Sequence, residues 1–443
     1  LNPISFCIAT GVNEKEYIKL LLTSLKDNTN LDIHEIIVWV DTDNQNTYDE
    51  LIGLKNTQYP MMKIGKNPYK AQLGNQFNSA VMIQEAKNDI ICFLHSDMVV
   101  GRKFDIGLLN ALDENPNNIV CSARIEPPLH PTGPEKIIKS YGMSTGDFDY
   151  NAFQDFSTEL QNKNIPNGSG YFAPSTFYKK TFLDILGGFD TQFRCSREDS
   201  DFIIKIEMNK LNPIISWNAV VYHFTCVSSR GKDWFKKETD LTAKVNYQKH
   251  ADMIEMKRFM RKWGYFGHDY RPRYDINLLL EVDSVPNFNI LFAIEQHFNK
   301  LFINDIEVIE YMITKLNFDF HYYSNKKLGH SLEDWKLMKK FYPLLNFENR
   351  ISYFNDNKHS NDFPVLVKTK TSVLDNLFNS DSQECMNFFT NMNVIVSQSE
   401  VGKYELFEGI TIEIGNDLID LNLCNNKNRS LKELLTMEEF DFE

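Results

Sequence analysis

No stretch of this 443-residue chain stays apolar for the roughly 18 residues that a membrane-crossing helix needs. Its N-terminus also lacks the basic-then-apolar pattern of a secretory signal. There is no CxxC pair. The seven cysteines (Cys7, Cys92, Cys121, Cys195, Cys226, Cys385 and Cys424) are odd in number and scattered, which argues against a zinc cage or a disulfide framework. They read as reduced thiols, so the expected compartment is the cytoplasm, with a peripheral position at the inner membrane face left open. No G-x-G-x-x-G follows any apolar strand, which removes a dinucleotide-binding dehydrogenase. Basic residues are outnumbered 47 to 60, and a net charge of −13 is unsuited to wrapping nucleic acid or an anionic membrane surface. A small anionic ligand stays possible, because one local cation reverses the sign of a cleft.

What is there is globular: 42% hydrophobic and 24% charged residues, in a chain long enough for two domains. The first half alternates strands and helices. ISFCIAT (4–10), EIIVWVD (35–41) and DIICFL (89–94) are short apolar strands, while 15–28 and 76–88 carry apolar residues at helical spacing. Such alternation implies a mostly parallel, doubly wound sheet, whose ligands bind outside the carboxyl ends of the strands. Thr10, Asp41 and the trio His95–Ser96–Asp97 all sit at those ends, so three segments converge on one cleft.

Beyond Pro116 the pattern loosens. PPLHPTGPEK (127–136) is a Pro- and Gly-rich loop, a candidate wall or lid. Residues 168–190 combine a turn, an extended segment, a helix and a Gly-Gly turn. SREDSDF (196–202) opens a helix with Ser196 as its cap and acidic residues in the first turn. The basic stretch from Lys232 to Trp263 reads as a solvated helix face. From Asp275 a second alternation starts. INLLLEV is a strand, FNILFAIEQHFNKLF and IEVIEYMITKL are helical, and FDFHYYS, FPVLVKT and KYELFEGITIEI follow as further strand candidates. The expected division is a first domain over 1–270, with halves 1–100 and 101–270, and a second α/β or α+β domain over 271–443.

The stretch DIICFLHSDMVV (89–100) runs five apolar residues into an imidazole, a hydroxyl and a carboxylate. Donors of that kind at a strand's carboxyl edge suit a divalent cation held against a diphosphate. The ordered set ISFCIAT, EIIVWVDTD, DIICFLHSDM, GGFD (187–190), REDSDF (197–202) and VVYHF (220–224) resembles the family 2 glycosyltransferases of the GT-A fold, over roughly residues 3 to 270.

That resemblance implies a Rossmann-like, mostly parallel GT-A domain and an inverting, metal-dependent transfer. A sugar would pass from a nucleotide-diphosphate sugar to a hydroxyl on a saccharide or glycoconjugate acceptor. Ala9, Thr10 and Asp41 would line the nucleoside pocket, with Asp43 assisting. Asp97 would hold a divalent metal, Mn²⁺ or Mg²⁺, together with His95 and His223; Ser96 would lie beside the phosphates. His95 stands where the family's first aspartate usually is, and imidazole suits a manganese-type ion better than magnesium. The family's usual Arg-Asn reads Phe77-Asn78 here, and Lys70 would replace the missing cation; Arg230 would lie near the diphosphate. Asp199 would be the base that takes the acceptor's proton and Glu198 would orient the acceptor, with Asp201 on another helix face, either at the surface or in the layer behind the site. Gly170, Tyr171 and Gly188 would shape the acceptor side, with Tyr141 and Tyr150 as further loop aromatics. The donor expected first is a UDP-sugar, then a GDP- or dTDP-sugar. Two other classes compete with this reading. A sugar nucleotidyltransferase needs a basic Gly-rich loop after the first strand, and ATGVNEKEY has one glycine and no arginine. A non-catalytic nucleotide-sugar- or carbohydrate-binding protein on the same scaffold rests on His95 in place of an acid.

Overall fold

The computed structural model of the chain describes residues 2–11, 14–41, 45–67, 75–115, 117–129, 131–172, 174–190, 193, 197–225, 255–265, 267, 270–316, 350–354, 363–380, 382–415, 418, 420–421 and 442. The chain forms two compact units, Leu1–His250 with Arg429–Glu443, and Ala251–Asn428. Among the described residues no helix is long and apolar enough to cross a membrane.

The first unit is built on a ten-stranded sheet. Its nucleus is four parallel strands in the order β3 (Lys63–Lys66), β2 (Glu35–Val40), β1 (Ile4–Thr10) and β4 (Ile90–His95). Beyond β4 the path continues through β9 (Ser175–Tyr178), β6 (Asn118–Glu126) and β10 (Asn212–His223) to β5 (Met98–Val100). β9 runs antiparallel to both its neighbours, and β5 runs antiparallel to β10. Short strands β7 (Lys136–Ile138) and β8 (Gly168–Ser169) pair with β6 and β10.

Alternation sets the two layers. Ile4, Phe6 and Ile8 of β1 face one core with α1 (Lys15–Asn28) and α4 (Phe104–Asp113), whereas Cys7 faces the other with α3 (Asn75–Glu85) and α6 (Glu198–Met208). Because both faces are covered, the strands are apolar throughout, as in parallel sheets generally. α1 spaces Ile18, Leu21, Leu22 and Leu25 along one stripe, and all four are buried. α2 (Gln45–Thr57) and β3 carry little of this signal, since α2 buries only Thr47 and Leu51. Phe442, near the end of the chain, bridges Gly65 on β3 and packs its ring 5.7 Å from Trp39.

The second unit holds a six-stranded sheet in the order β13 (Ile351–Tyr353), β12 (Lys300–Ile303), β11 (Ile276–Glu281), β14 (Val365–Lys370), β16 (Ile410–Ile414) and β15 (Gly402–Phe407). The first four are parallel and the last two form an antiparallel hairpin. The helix expected across 288–302 is shorter than the periodicity suggests. It ends at Ile294, and Lys300–Ile303 is strand β12, with Leu301 and Ile303 fully buried. A short apolar run has the same pattern whether it is a buried strand or a helix.

Three further expectations are corrected here. Ser196 lies outside the described residues, and the residue at the cap of α6 is Arg197, in a left-handed conformation (φ 66°) with no side-chain capping bond. Tyr150 is no loop residue but the first of α5 (Tyr150–Asn162), fastened by its hydroxyl to Asp27 of α1, whereas Tyr141 does lie in a loop and packs against Phe153 and Tyr222. The described part of the basic stretch is no solvated face: Arg258, Arg261 and Trp263 are buried, and Arg261 pairs with Glu295. FDFHYYS falls outside the described residues.

Candidate active site

β1, β2 and β4 are parallel and adjacent, so their carboxyl ends open on one edge of the sheet. At the end of β2, Asp41 is buried and its amide donates to the Thr10 carbonyl (2.9 Å). Its carboxylate is held from two sides. Asn67, just past β3, donates to Oδ1 (2.8 Å), and Asn78 on α3 donates to Oδ2 (2.9 Å). Thr10 Oγ1 and Asn78 Oδ1 are buried with no hydrogen-bond partner among the described residues. Buried polar groups are rarely left so, and two such atoms around a fixed carboxylate fit a polar ligand such as a nucleoside.

β4 ends at His95, on the same face as Ile91 and Phe93. The next two residues form a turn before β5. β5 lies against the far end of β10, with His223 opposite Met98. The register of β10 on β6 shifts between Ser216 and Val220, and a bulge of that kind bends a strand and re-aims its end. The outcome is a compact cluster. One ligand atom each from His95, Asp97 and His223 lies within 4.8 Å of the others. His223 Nε2 stands 3.5 Å from Asp97 Oδ1, and its Nδ1 donates to Glu126 Oε1 at 2.9 Å. Two imidazoles and one carboxylate are a donor set that suits a manganese-type ion. Glu126 in turn accepts from Lys136 (2.9 Å) and lies 3.5 Å from Arg124, which Glu135 also holds.

The electrostatics follow from this packing. Burial, with the neighbouring His223, lowers His95 to about 4, so its ring is neutral and able to ligate. Burial works to lower His223 too, but Asp97 and Glu126 outweigh it and raise the ring to about 9. Burial works to raise Asp97, and the two imidazoles hold it below the usual carboxylate range. Glu126 has burial opposing it as well, yet its bond from His223 and the charge of Arg124 bring it to about 2. His223 is therefore an imidazolium between two carboxylates, and a metal ion would enter by displacing its proton.

Glu198 and Asp199 open α6, where the helix dipole favours negative charge. Both line a cavity of about 60 Å³ together with Ala9, Ser79, His95 and Tyr171. The structure thus brings five sequence-predicted residues, Ala9, His95, Tyr171, Glu198 and Asp199, around one space. Ser96 is buried beside the cluster and donates to Glu14. Gly170 (φ 137°) and Gly188 (φ 78°) support the wall as backbone, and Phe189 rather than Gly188 lines the cavity. Of the two places the sequence leaves open to Asp201, the surface and the layer behind the site, it takes the second. It is buried 3.3 Å from Lys205, whose ammonium also donates to the Gly188 carbonyl (2.8 Å). Asp43, Lys70 and Arg230 lie outside the described residues.

Sequence reasoning missed Glu14, Asn67 and Glu126 and took Asn78 only as a motif remnant. Glu126 carries the same signal as His95, a polar residue at the mouth of an apolar strand (NIVCSARIE). Glu14 and Asn67 have no such mark.

Residues 6–182 match the family model described as glycosyl transferase family 2. Over that part, less than half of its length, the chain is similar to the family 2 glycosyltransferases. No curated protein matches the chain in sequence. Among solved structures it is similar to GalNAc-T7 with UDP, GalNAc and Mn²⁺, at 13% identity and TM-score 0.39, over 59% of this chain and 54% of that one. It thus spans about half of GalNAc-T7. It is also similar to S. aureus TarS 1–349, at 12% identity and TM-score 0.37, over 79% of this chain and 87% of that one. TarS 1–349 in complex with UDP aligns at 13% identity and TM-score 0.37, over 78% and 87%.

Proposed function

We propose that this chain is an inverting, metal-dependent glycosyltransferase that moves a sugar from a nucleotide-diphosphate sugar to a hydroxyl of a saccharide or glycoconjugate. The observation that carries the proposal is the meeting of the His95–Asp97–His223 cluster with the Glu198–Asp199 pair, His95 belonging to both the cluster and the cavity that the pair lines.

In this reading the nucleoside lies among Ala9, Thr10 and Asp41, with the Asp41 carboxylate already oriented by Asn67 and Asn78. His95, Asp97 and His223 would hold a divalent ion, which would supply charge neutralisation to the departing diphosphate. Asp199 takes the proton of the acceptor hydroxyl. The acceptor oxygen forms its bond to the anomeric carbon as the bond from that carbon to the diphosphate oxygen breaks, with inversion. Glu198 and Tyr171 orient the acceptor. A donor-side role for Asp43, Lys70 and Arg230 belongs to the same reading.

A thermal-shift panel tests it, using UDP, GDP, dTDP and CMP and their sugars, with and without Mn²⁺, on wild type and Asp97→Ala. A ligand near 100-fold saturation adds about 2.7 kcal/mol to stability. A metal-dependent shift with one nucleotide family, lost in Asp97→Ala, is expected and names the donor; UDP is tried first. Absence of any metal-dependent shift overturns the reading.

A further inference from the structure

We propose that Glu14 is a positioning residue of this site, whose single carboxylate oxygen locks the loop after β1 to the turn after β4; the inference rests on the function proposed above. Glu14 directly precedes α1, yet its side chain makes no capping bond to that helix. It turns inward instead and is 5% exposed. Its Oε2 accepts from the Gly11 amide at 2.8 Å and from the Ser96 hydroxyl. Gly11 adjoins Thr10 of the nucleoside pocket. Ser96 stands between His95 and Asp97. One oxygen atom therefore ties the segment that contacts the nucleoside to the segment that carries two ligands of the ion.

The geometry makes a specific demand. Both donors converge on the same oxygen, so an acceptor is needed there and a negative charge is not. Burial pushes the Glu14 carboxyl up to about 7, with the charges of Asp97 and Asp41 adding to it against the bonds from Ser96 and Gly11. A neutral acceptor is thus tolerated where a full charge is disfavoured. Glutamine presents an amide oxygen at the same reach. Aspartate, one methylene shorter, withdraws the oxygen from both donors, and alanine removes it.

The readout is coupling between metal and nucleotide, the ratio of nucleotide Kd without and with Mn²⁺. Calorimetry on wild type, Glu14→Gln, Glu14→Asp and Glu14→Ala measures it with whichever of UDP, GDP, dTDP or CMP binds the wild type. Glu14→Gln is expected to keep the ratio within about twofold, while Asp and Ala lose roughly three- to tenfold, the worth of one or two hydrogen bonds. A residue that served only to stabilise the fold would lower the melting temperature in Glu14→Ala and leave the ratio intact. An unchanged ratio in Asp and Ala overturns the proposal, and so does a fall in Gln equal to that in Ala. Should Glu14→Ala fail to fold, the Gln–Asp comparison decides. A wild type in which Mn²⁺ affects no nucleotide overturns the proposed function itself, and this inference with it. Intact coupling in every variant overturns the inference alone.

Discussion

Glu126 and His223 share a 2.9 Å hydrogen bond across 97 positions of sequence, because β6 and β10 run parallel with Ile125 opposite Tyr222. The pairing fixes which ring nitrogen faces the cluster: Nδ1 is committed to Glu126, so Nε2 points at Asp97. A carboxylate behind a ligating histidine sets ring orientation and raises basicity, and its loss costs about 10- to 100-fold in metal affinity. Glu126→Gln keeps the shape but cannot accept from both His223 and Lys136. Its Mn²⁺ affinity is expected to fall by about that factor, while nucleotide affinity measured without metal stays at the wild-type value. Titration calorimetry of each ligand separately checks this.

Asp199→Asn is expected to lower kcat for transfer by about 10²- to 10⁴-fold, the usual contribution of a general base, with donor Kd unchanged. Glu198→Gln is expected to raise the acceptor KM more than it lowers kcat, in keeping with an orienting role. Initial rates over both substrates separate the two. A common effect of both substitutions on kcat alone would contradict the assigned division of labour.

The sheet was legible in sequence where buried parallel strands alternate with helices of clear stripe, as in ISFCIAT, EIIVWV and DIICFL. It was not legible where burial is light, as in α2, or where tertiary pairing overrides periodicity, as in KLFI of β12. At the site, residues announcing themselves at strand mouths were readable: Thr10, Asp41, His95 and His223. Asn67, which holds Asp41, and Glu14, which holds the neighbouring Gly11 and Ser96, lie between elements, and their position depends on contacts made across the fold. Asp201 shows the limit of helical-face arguments, since its face alone left surface and interior both open, and the second layer that covers it is visible only in the fold.

Glu14 also gives a pH dependence of stability. Burial raises its folded-state carboxyl to about 7 from an unfolded value near 4.5. A raised carboxyl means that the folded state binds the proton more tightly, so stability contributed by the neutral form is full below about pH 4.5. It is lost as pH rises towards 7, an amount on the order of 3 kcal/mol for such a shift. Glu14→Gln, with no titrating group, is expected to flatten this slope. Urea denaturation of both proteins between pH 4.5 and 8 measures the difference; parallel curves would show that Glu14 is ionised in the fold throughout.

Lys205 joins two parts of the site's wall. Its ammonium donates to the Gly188 carbonyl at 2.8 Å and pairs with Asp201 one helical turn away at 3.3 Å, with both side chains almost wholly buried. Gly187 and Gly188 take φ values of 67° and 78°, which side chains rarely tolerate, so the turn depends on glycine and on this anchor to hold Phe189 at the cavity. Removing one partner of a buried ion pair leaves the other charge uncompensated and costs about 3–5 kcal/mol. Lys205→Met is therefore expected to destabilise strongly. Adding Asp201→Asn also removes the carboxylate that faced the ammonium and is expected to return part of the loss, a coupling of about 0.5–3 kcal/mol in a double-mutant cycle. The double variant still lacks the bond to Gly188. It is expected to bind donor as wild type does while transferring more slowly, because the turn that carries Phe189 is no longer fixed against the helix that carries Asp199.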